Sequence, residues 1–263
     1  MRLFSGTIRD SLQRLSRDAL DFVYARCCVR CRVPLPAADE RFRAGDEAGS
    51  CFCAECYELL SSAIARACLR CGAPVGPYLD TSRGCRHCRR ERFQFERVFA
   101  LGTYERELRE CCIRAKQPFE EPLTAGLADL LWEAHSDIWG PLGVDLVVPI
   151  PHHWTERVFR RHSPPAIIGR VMARRLMVPV ALHILSKSRR TPAQSSLTPA
   201  RRRTNLRNAF RIAGRARLDG LTILLADDIL TTGTTADRAA QVLRQVGARA
   251  VYAAVLARGI GGK

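Results

Sequence analysis

Apolar residues recur at Ile8, Leu12, Leu15, Ala19 and Phe22. That is the spacing of one helix face, so the chain is expected to begin with an amphipathic helix within residues 1–26. The character of the chain changes after about Arg92. From there Val98–Tyr104 reads as a strand, and helical spacing appears at Leu108–Lys116 and Leu123–His135. A buried strand is expected at Asp145–Ile150 and a helix at Ala166–Leu176. After a polar stretch come the apolar strand Leu221–Ala226, the helix Thr235–Val246 and the strand Arg249–Leu256. Strands alternating with helices predict an α/β domain over 98–263, a parallel sheet with helices on both faces.

The segment 27–92 holds ten of the 12 cysteines. Eight form four pairs at one spacing: Cys28 and Cys31, Cys53 and Cys56, Cys68 and Cys71, Cys85 and Cys88. A Cys-x2-Cys knuckle turns two sulfurs toward one tetrahedral ion, and two knuckles close a four-thiolate zinc site. Such a site contributes folding energy to a segment too small for its own core. Four knuckles make a double zinc ribbon with two structural Zn2+ ions. Sequential pairing leaves 21 and 13 residues between knuckles, and an interleaved arrangement stays open. The competing reading is a disulfide framework, which belongs to oxidising compartments. The first 26 residues make a poor secretory or transit peptide, because Asp10, Asp18 and Asp21 interrupt their apolar residues. Cys27 and Cys51 each sit beside a ligand pair, as substitutes in an alternative set, but read as bystanders; so does His87, which sits inside a knuckle already supplied with ligands.

At 263 residues and 47% hydrophobic, the chain can bury a real core, which argues against wholesale disorder. No apolar run approaches the roughly 18–20 residues that span a bilayer. The expected setting is therefore cytoplasmic. The net charge is +16, and much of it is local: residues 186–220 carry ten Lys/Arg against the single acid Asp219. Such a run suits a polyanion, whether a small polyphosphate or single-stranded DNA, and it is also compatible with a solvated surface.

The densest chemistry lies at Ile223-Leu-Leu-Ala-Asp227-Asp228-Ile-Leu-Thr231-Thr232-Gly233-Thr234-Thr235. An apolar strand here is expected to deliver two carboxylates to its C-terminal edge, where ligands of open α/β sheets bind. A Thr/Gly turn then opens a helix, whose N-terminal N–H groups and hydroxyls favour a phosphate. Carboxylates for sugar hydroxyls beside a phosphate cradle suit a ribose 5-phosphate.

This segment closely resembles the phosphoribosyl pyrophosphate (PRPP) motif of type I phosphoribosyltransferases. With the paired knuckles in front, the chain from about Leu20 to Arg258 resembles the ComF family, also called the GntX family. Further residues carry the likeness: Arg114-Ala-Lys116, Val148-Pro-Ile-Pro151, Gln194-x2-Leu197, and Arg203-Thr-Asn205-Leu-Arg-Asn208-Ala-Phe210. Arg160-Arg161-His162-Ser163 stands where many members have Arg-Gly-Phe-Asn. The resemblance implies that Asp227 and Asp228 hold the ribose hydroxyls, and that Thr231, Thr232, Gly233, Thr234 and Thr235 wrap the 5′-phosphate. It also implies that Lys116 reaches the pyrophosphate, that Mg2+ accompanies PRPP, and that Lys187–Arg203 forms a loop or hood over the ligand. One of His152 and His153 is a candidate acid or base. The implied activity is phosphoribosyl transfer to a nitrogenous acceptor with release of pyrophosphate. The alternatives are a PRPP-responsive regulator, or a DNA-uptake component that works with competence proteins and has little catalysis.

Overall fold

The computed structural model describes residues 26–35, 51–62, 66–151, 163–187, 210–214 and 216–260. The expected N-terminal helix, the His152–His162 stretch and the basic run from residue 188 to 209 lie outside them. The chain divides into two compact units, 1–58 and 59–263. The described part of the first holds the first two knuckles, with Cys56 on α1 (Ala54–Ser61).

In the second unit four parallel strands form one sheet: β1 (Arg97–Thr103), β2 (Leu146–Pro149), β5 (Thr222–Leu230) and β6 (Ala250–Arg258), in the order β1-β6-β5-β2. Parallel strands must be linked by crossovers, and helices supply them. These are α2 (Arg106–Arg114), α3 (Glu121–Glu133), α4 (Ser136–Leu142), α5 (Pro164–Leu176) and α6 (Thr234–Gln245).

Side chains alternate across the sheet, as the strand repeat of two requires. Val98, Ala100, Val148, Ile223, Leu225, Val251 and Val255 pack with Ala236, Ala239, Ala240 and Leu243 of α6. Their neighbours in sequence, such as Phe99, Leu224 and Ala254, are fully buried as well. On that other face α5 packs against β2 and β5, and α3 against β1 and β6. Contact there is close because position 169 is glycine, where a Cβ would meet Pro149 Cγ at 2.6 Å. Asp129 of α3 is buried and accepts a 2.8 Å bond from Arg175 Nε of α5, which locks these two helices together.

β3 (Leu185–Lys187) and β4 (Phe210–Ile212) form a separate antiparallel pair, with Lys187 opposite Phe210. The basic run therefore leaves and re-enters the described structure at neighbouring points. Among the described residues no helix is long and apolar enough to cross a membrane.

The strand expected at Leu221–Ala226 runs on to Leu230, so the acidic pair lies inside it and not beyond its end. The cause is the partner strand: β6 continues beside β5 to pair Ile229 with Ala257 and Leu230 with Arg258. On the other side β2 stops at Pro149, opposite Ala226.

Candidate active site and metal centres

Asp227 and Asp228 thus sit on the length of β5 that projects past β2 but stays paired with β6 at Asp227, Ile229 and Leu230. Their carboxylates turn back on the backbone: Asp227 Oδ1 accepts the Asp228 N–H at 2.9 Å, and Asp228 Oδ1 accepts the Ile229 N–H at 2.9 Å. Asp228 is only 7% exposed, and its Oδ2 lies 3.1 Å from Lys116 Nζ, just after α2. The pairing joins two residues singled out separately in the sequence. Burial disfavours the Lys116 ammonium, yet the facing Asp228 carboxylate holds it above the usual lysine range. Burial and the neighbouring Asp228 charge push Asp227 well above the usual carboxylate range. Asp227 therefore keeps its proton to a higher pH than a solvated carboxyl group.

After Leu230 the chain turns through Thr231–Gly233 into α6. Gly233 is the N-cap and has φ +79°, the left-handed region that favours glycine. A Cβ there would also approach the Phe93 ring at 3.3 Å. Thr232 Oγ1 and Thr234 Oγ1 lie 2.8 Å apart, and the Thr234 N–H points at Thr232 Oγ1. Hydroxyls and helix N-terminal N–H groups are therefore concentrated at one turn, as anion binding requires. A cavity of about 420 Å3 opens beside it, lined by Thr231, Thr232 and Thr234 and by Arg92, Arg238 and Arg258, among others. Asp227, Asp228 and Lys116 are not part of that lining. The described residues do not bring Gln194, Asn205, His152 or His153 to either place, because all four lie outside them.

The eight knuckle cysteines gather sequentially into Cys28, Cys31, Cys53, Cys56 and Cys68, Cys71, Cys85, Cys88, with the sulfurs of each set within 4.8 Å of one another. The Sγ···Sγ separations include 3.7 Å for Cys31–Cys53, 3.7 Å for Cys68–Cys88 and 3.6 Å for Cys71–Cys85. A tetrahedral ion with bonds of about 2.3 Å sets its sulfurs about 3.8 Å apart, whereas a disulfide needs about 2.05 Å. Both sets could therefore hold zinc, and none of the twelve cysteines is in a disulfide. The first knuckle of each set has the same backbone: the N–H of Cys28 reaches Val33 O, that of Cys68 reaches Ala73 O, and Arg32 and Gly72 share φ +67°.

Burial works against the Cys28 thiolate, but backbone N–H groups of Cys31, Cys53 and Arg30 bring that thiol down to about 6. Burial also opposes Cys68, which the N–H groups of Cys71 and Arg70 bring to about 7. Burial pushes Cys56 up to about 12 and Cys71 upward as well. Each set mixes thiols that ionise readily with thiols that resist, and a divalent cation is the partner that lets all four ionise.

Sequence reasoning missed Arg258, Asp237 and Phe93. Arg258 is buried and donates to the carbonyls of Cys71, Leu230, Thr231 and Gly259. Asp237, in the first turn of α6, accepts the Gln94 N–H at 2.8 Å. The available signal for Arg258 was a lone charge closing the uncharged run Ala250–Ala257.

Residues 166–263 match the phosphoribosyl transferase domain family. Competence protein F of Haemophilus influenzae is 24% identical over 235 residues, which cover 88% of this chain and 96% of that protein. The DNA utilization protein YhgH of Salmonella typhi is 27% identical over 236 residues, with 88% and 96% covered. A solved glutamine PRPP amidotransferase from Bacillus subtilis, complexed with ADP and GMP, aligns at a TM-score of 0.33 and 17% identity. That alignment covers 55% of this chain and 30% of the amidotransferase. With two four-cysteine sets ahead of a phosphoribosyl transferase domain, and similarity along nearly the whole length of competence protein F and YhgH, the chain is a homologue of these ComF-family proteins.

Proposed function

We propose that the second unit binds PRPP with Mg2+ and transfers its phosphoribosyl group to a nitrogenous acceptor, releasing pyrophosphate. The carrying observation is the β5–turn–α6 segment: an acidic pair continued into a Thr/Gly turn at a helix N-terminus, inside a matched phosphoribosyl transferase domain. Asp228 accepts from one ribose hydroxyl. Asp227, protonated more readily than a solvated carboxyl group, can accept from or donate to the other. Thr231, Thr232, Gly233, Thr234 and Thr235 hold the 5′-phosphate.

Ribose binding competes with Lys116 for Asp228 and frees the ammonium for the pyrophosphate. The C1–O bond to pyrophosphate breaks and a C1–N bond forms. Positive charge passes through ribose C1, and the acceptor nitrogen gives up its proton to the departing pyrophosphate. Fixed charges that complement this redistribution are usually the largest catalytic contribution, and Mg2+ on the pyrophosphate oxygens would supply further neutralisation. Each four-cysteine set holds one structural Zn2+, within a double ribbon spanning 27–92.

A second reading, DNA binding during uptake or use, is supported by the names of the relatives and by the basic run of 186–220. The two readings share a polyanionic ligand and differ in which residues hold it.

Native mass spectrometry should find two zinc ions per chain, and Cys53→Ser should release one. A folded, metal-free chain would overturn the zinc assignment.

Calorimetric titration with PRPP and Mg2+ tests the acidic pair. Asp228→Asn removes a charged hydrogen bond worth about 1.5–3 kcal/mol, roughly a ten- to hundredfold loss of affinity. Asp227→Asn should also lose affinity, yet it should raise the melting temperature of the free protein. An acid whose folded pKa lies above its unfolded value near 3.8 favours folding below that value. The advantage is lost as pH rises through the folded pKa. The stabilisation by Asn should therefore grow as pH rises above 3.8 and shrink toward pH 4. Unchanged PRPP affinity in both variants would remove the ribose-clamp role.

Replacing Arg201, Arg202 and Arg203 together by Gln should weaken single-stranded DNA binding and flatten its salt dependence by up to about two log units per log unit of salt. If DNA affinity holds while PRPP affinity falls, the run serves the small ligand.

A further inference from the structure

Arg258 is the last residue of β6 and is 5% exposed. A buried guanidinium is costly unless its donors are satisfied. Among the described residues, carbonyls satisfy it and no carboxylate does. Its Nε donates to Cys71 O at 2.8 Å, and its Nη1 donates to Leu230 O at 3.0 Å and to the carbonyls of Thr231 and Gly259. Cys71 is a member of the second four-cysteine set, and Leu230 and Thr231 are the entry to the Thr/Gly turn. One rigid, charged fork therefore bridges a metal-ligating knuckle and the proposed phosphate cradle.

Two other contacts tie the same turn to the segment after the knuckles. Phe93 packs on Gly233, and the Gln94 N–H bonds to Asp237 Oδ1 in the first turn of α6. That segment is in turn fixed to the knuckle by Arg70 Nη2, which donates to Glu91 O at 3.1 Å. The cradle thus has one wall made by the cysteine module, held through Arg258 from behind and through residues 91–94 from the side.

We propose that Arg258 is a positioning residue that couples the second four-cysteine set to the Thr231–Thr235 turn, so that metal occupancy of that set governs the turn's affinity for a sugar 5-phosphate. The sugar-phosphate part of this rests on the reading given under Proposed function. The physical cause is the cost of leaving Arg258 buried with an unmatched donor. When the knuckle opens, Nε loses the Cys71 carbonyl, and the fork must shift or draw in water. The Leu230 and Thr231 carbonyls held by the same fork move with it, and the N–H groups at the start of α6 lose their aim. By reciprocity, a phosphate bound at the turn tightens the metal site.

Three measurements on the full chain test this: zinc content by native mass spectrometry, ribose 5-phosphate affinity by calorimetry, and amide hydrogen exchange at residues 230–234. Emptying the second set, by Cys85→Ser or by graded chelation of the wild type, should speed exchange at 230–234 and weaken ribose 5-phosphate binding about tenfold. Typical coupling between sites is roughly 5- to 150-fold. Arg258→Gln should produce both effects with two zinc ions still bound, and Arg258→Lys, which keeps the charge but not the fork, should fall between. The decisive feature is non-additivity: Arg258→Gln combined with Cys85→Ser should bind no more weakly than either single variant. Should Arg258→Gln fail to fold, the chelation series on the wild type still reads exchange against zinc remaining. The proposal is overturned if emptying the set leaves exchange and affinity unchanged, or if the two losses add. If the loaded wild type does not bind ribose 5-phosphate at all, the phosphate reading fails by itself, and exchange at 230–234 alone decides the coupling.

Discussion

The parallel pairing of β5 with β6 carries the site. Backbone N–H and C=O groups of a buried strand must find partners; β6 pairs with β5 over Thr222–Asp227 and again at Ile229 and Leu230, and the Asp227 and Asp228 carboxylates take the Asp228 and Ile229 N–H groups between. β2 withdraws support at Pro149. β5 therefore continues as an ordered strand where, among the described residues, no strand pairs with it on the β2 side, and Asp227 and Asp228 fall on this length. A strand that ended at Ala226 would place the pair on a loop, where its geometry would not be fixed. The same pairing brings Leu230 opposite Arg258, so the strand that orders the carboxylates also delivers the cation that binds the turn after them.

Readable in the sequence were the elements with a strong period: β1, α2, α3, α5, α6 and β6 lie within a few residues of their expected places. The end of β5 was not readable. Two aspartates after an apolar run look like a strand terminus, and only the length of a partner more than twenty residues away says otherwise. α4 was hidden because Gly140 and Pro141 interrupt its seven residues, although Trp139 within it is nearly fully buried. β3 and β4 are three residues each, too short for any periodic signal.

The chemistry was legible where ligand spacing is itself the chemistry. Cys-x2-Cys pairs announce themselves because one tetrahedral ion dictates the separation of its sulfurs, and the acidic pair and Thr/Gly turn lie within thirteen residues of sequence. Contacts assembled by tertiary structure were not legible. Lys116 and Asp228 were separate candidates until the fold placed them 3.1 Å apart. Asp237 and Gln94 are 143 residues apart and Arg258 and Cys71 are 187 apart. The Arg258–Cys71 bond links the second cysteine set to the end of β6, a contact that no sequence spacing signals.

A crystal structure of the full chain with ribose 5-phosphate bound tests the central claim most directly. The account predicts the phosphate on the hydroxyls and N–H groups of Thr231–Thr235, the ribose hydroxyls on Asp227 and Asp228, and Lys116 Nζ drawn away from Asp228. A ligand bound elsewhere, with the Lys116–Asp228 pair intact and the turn bare, would contradict it.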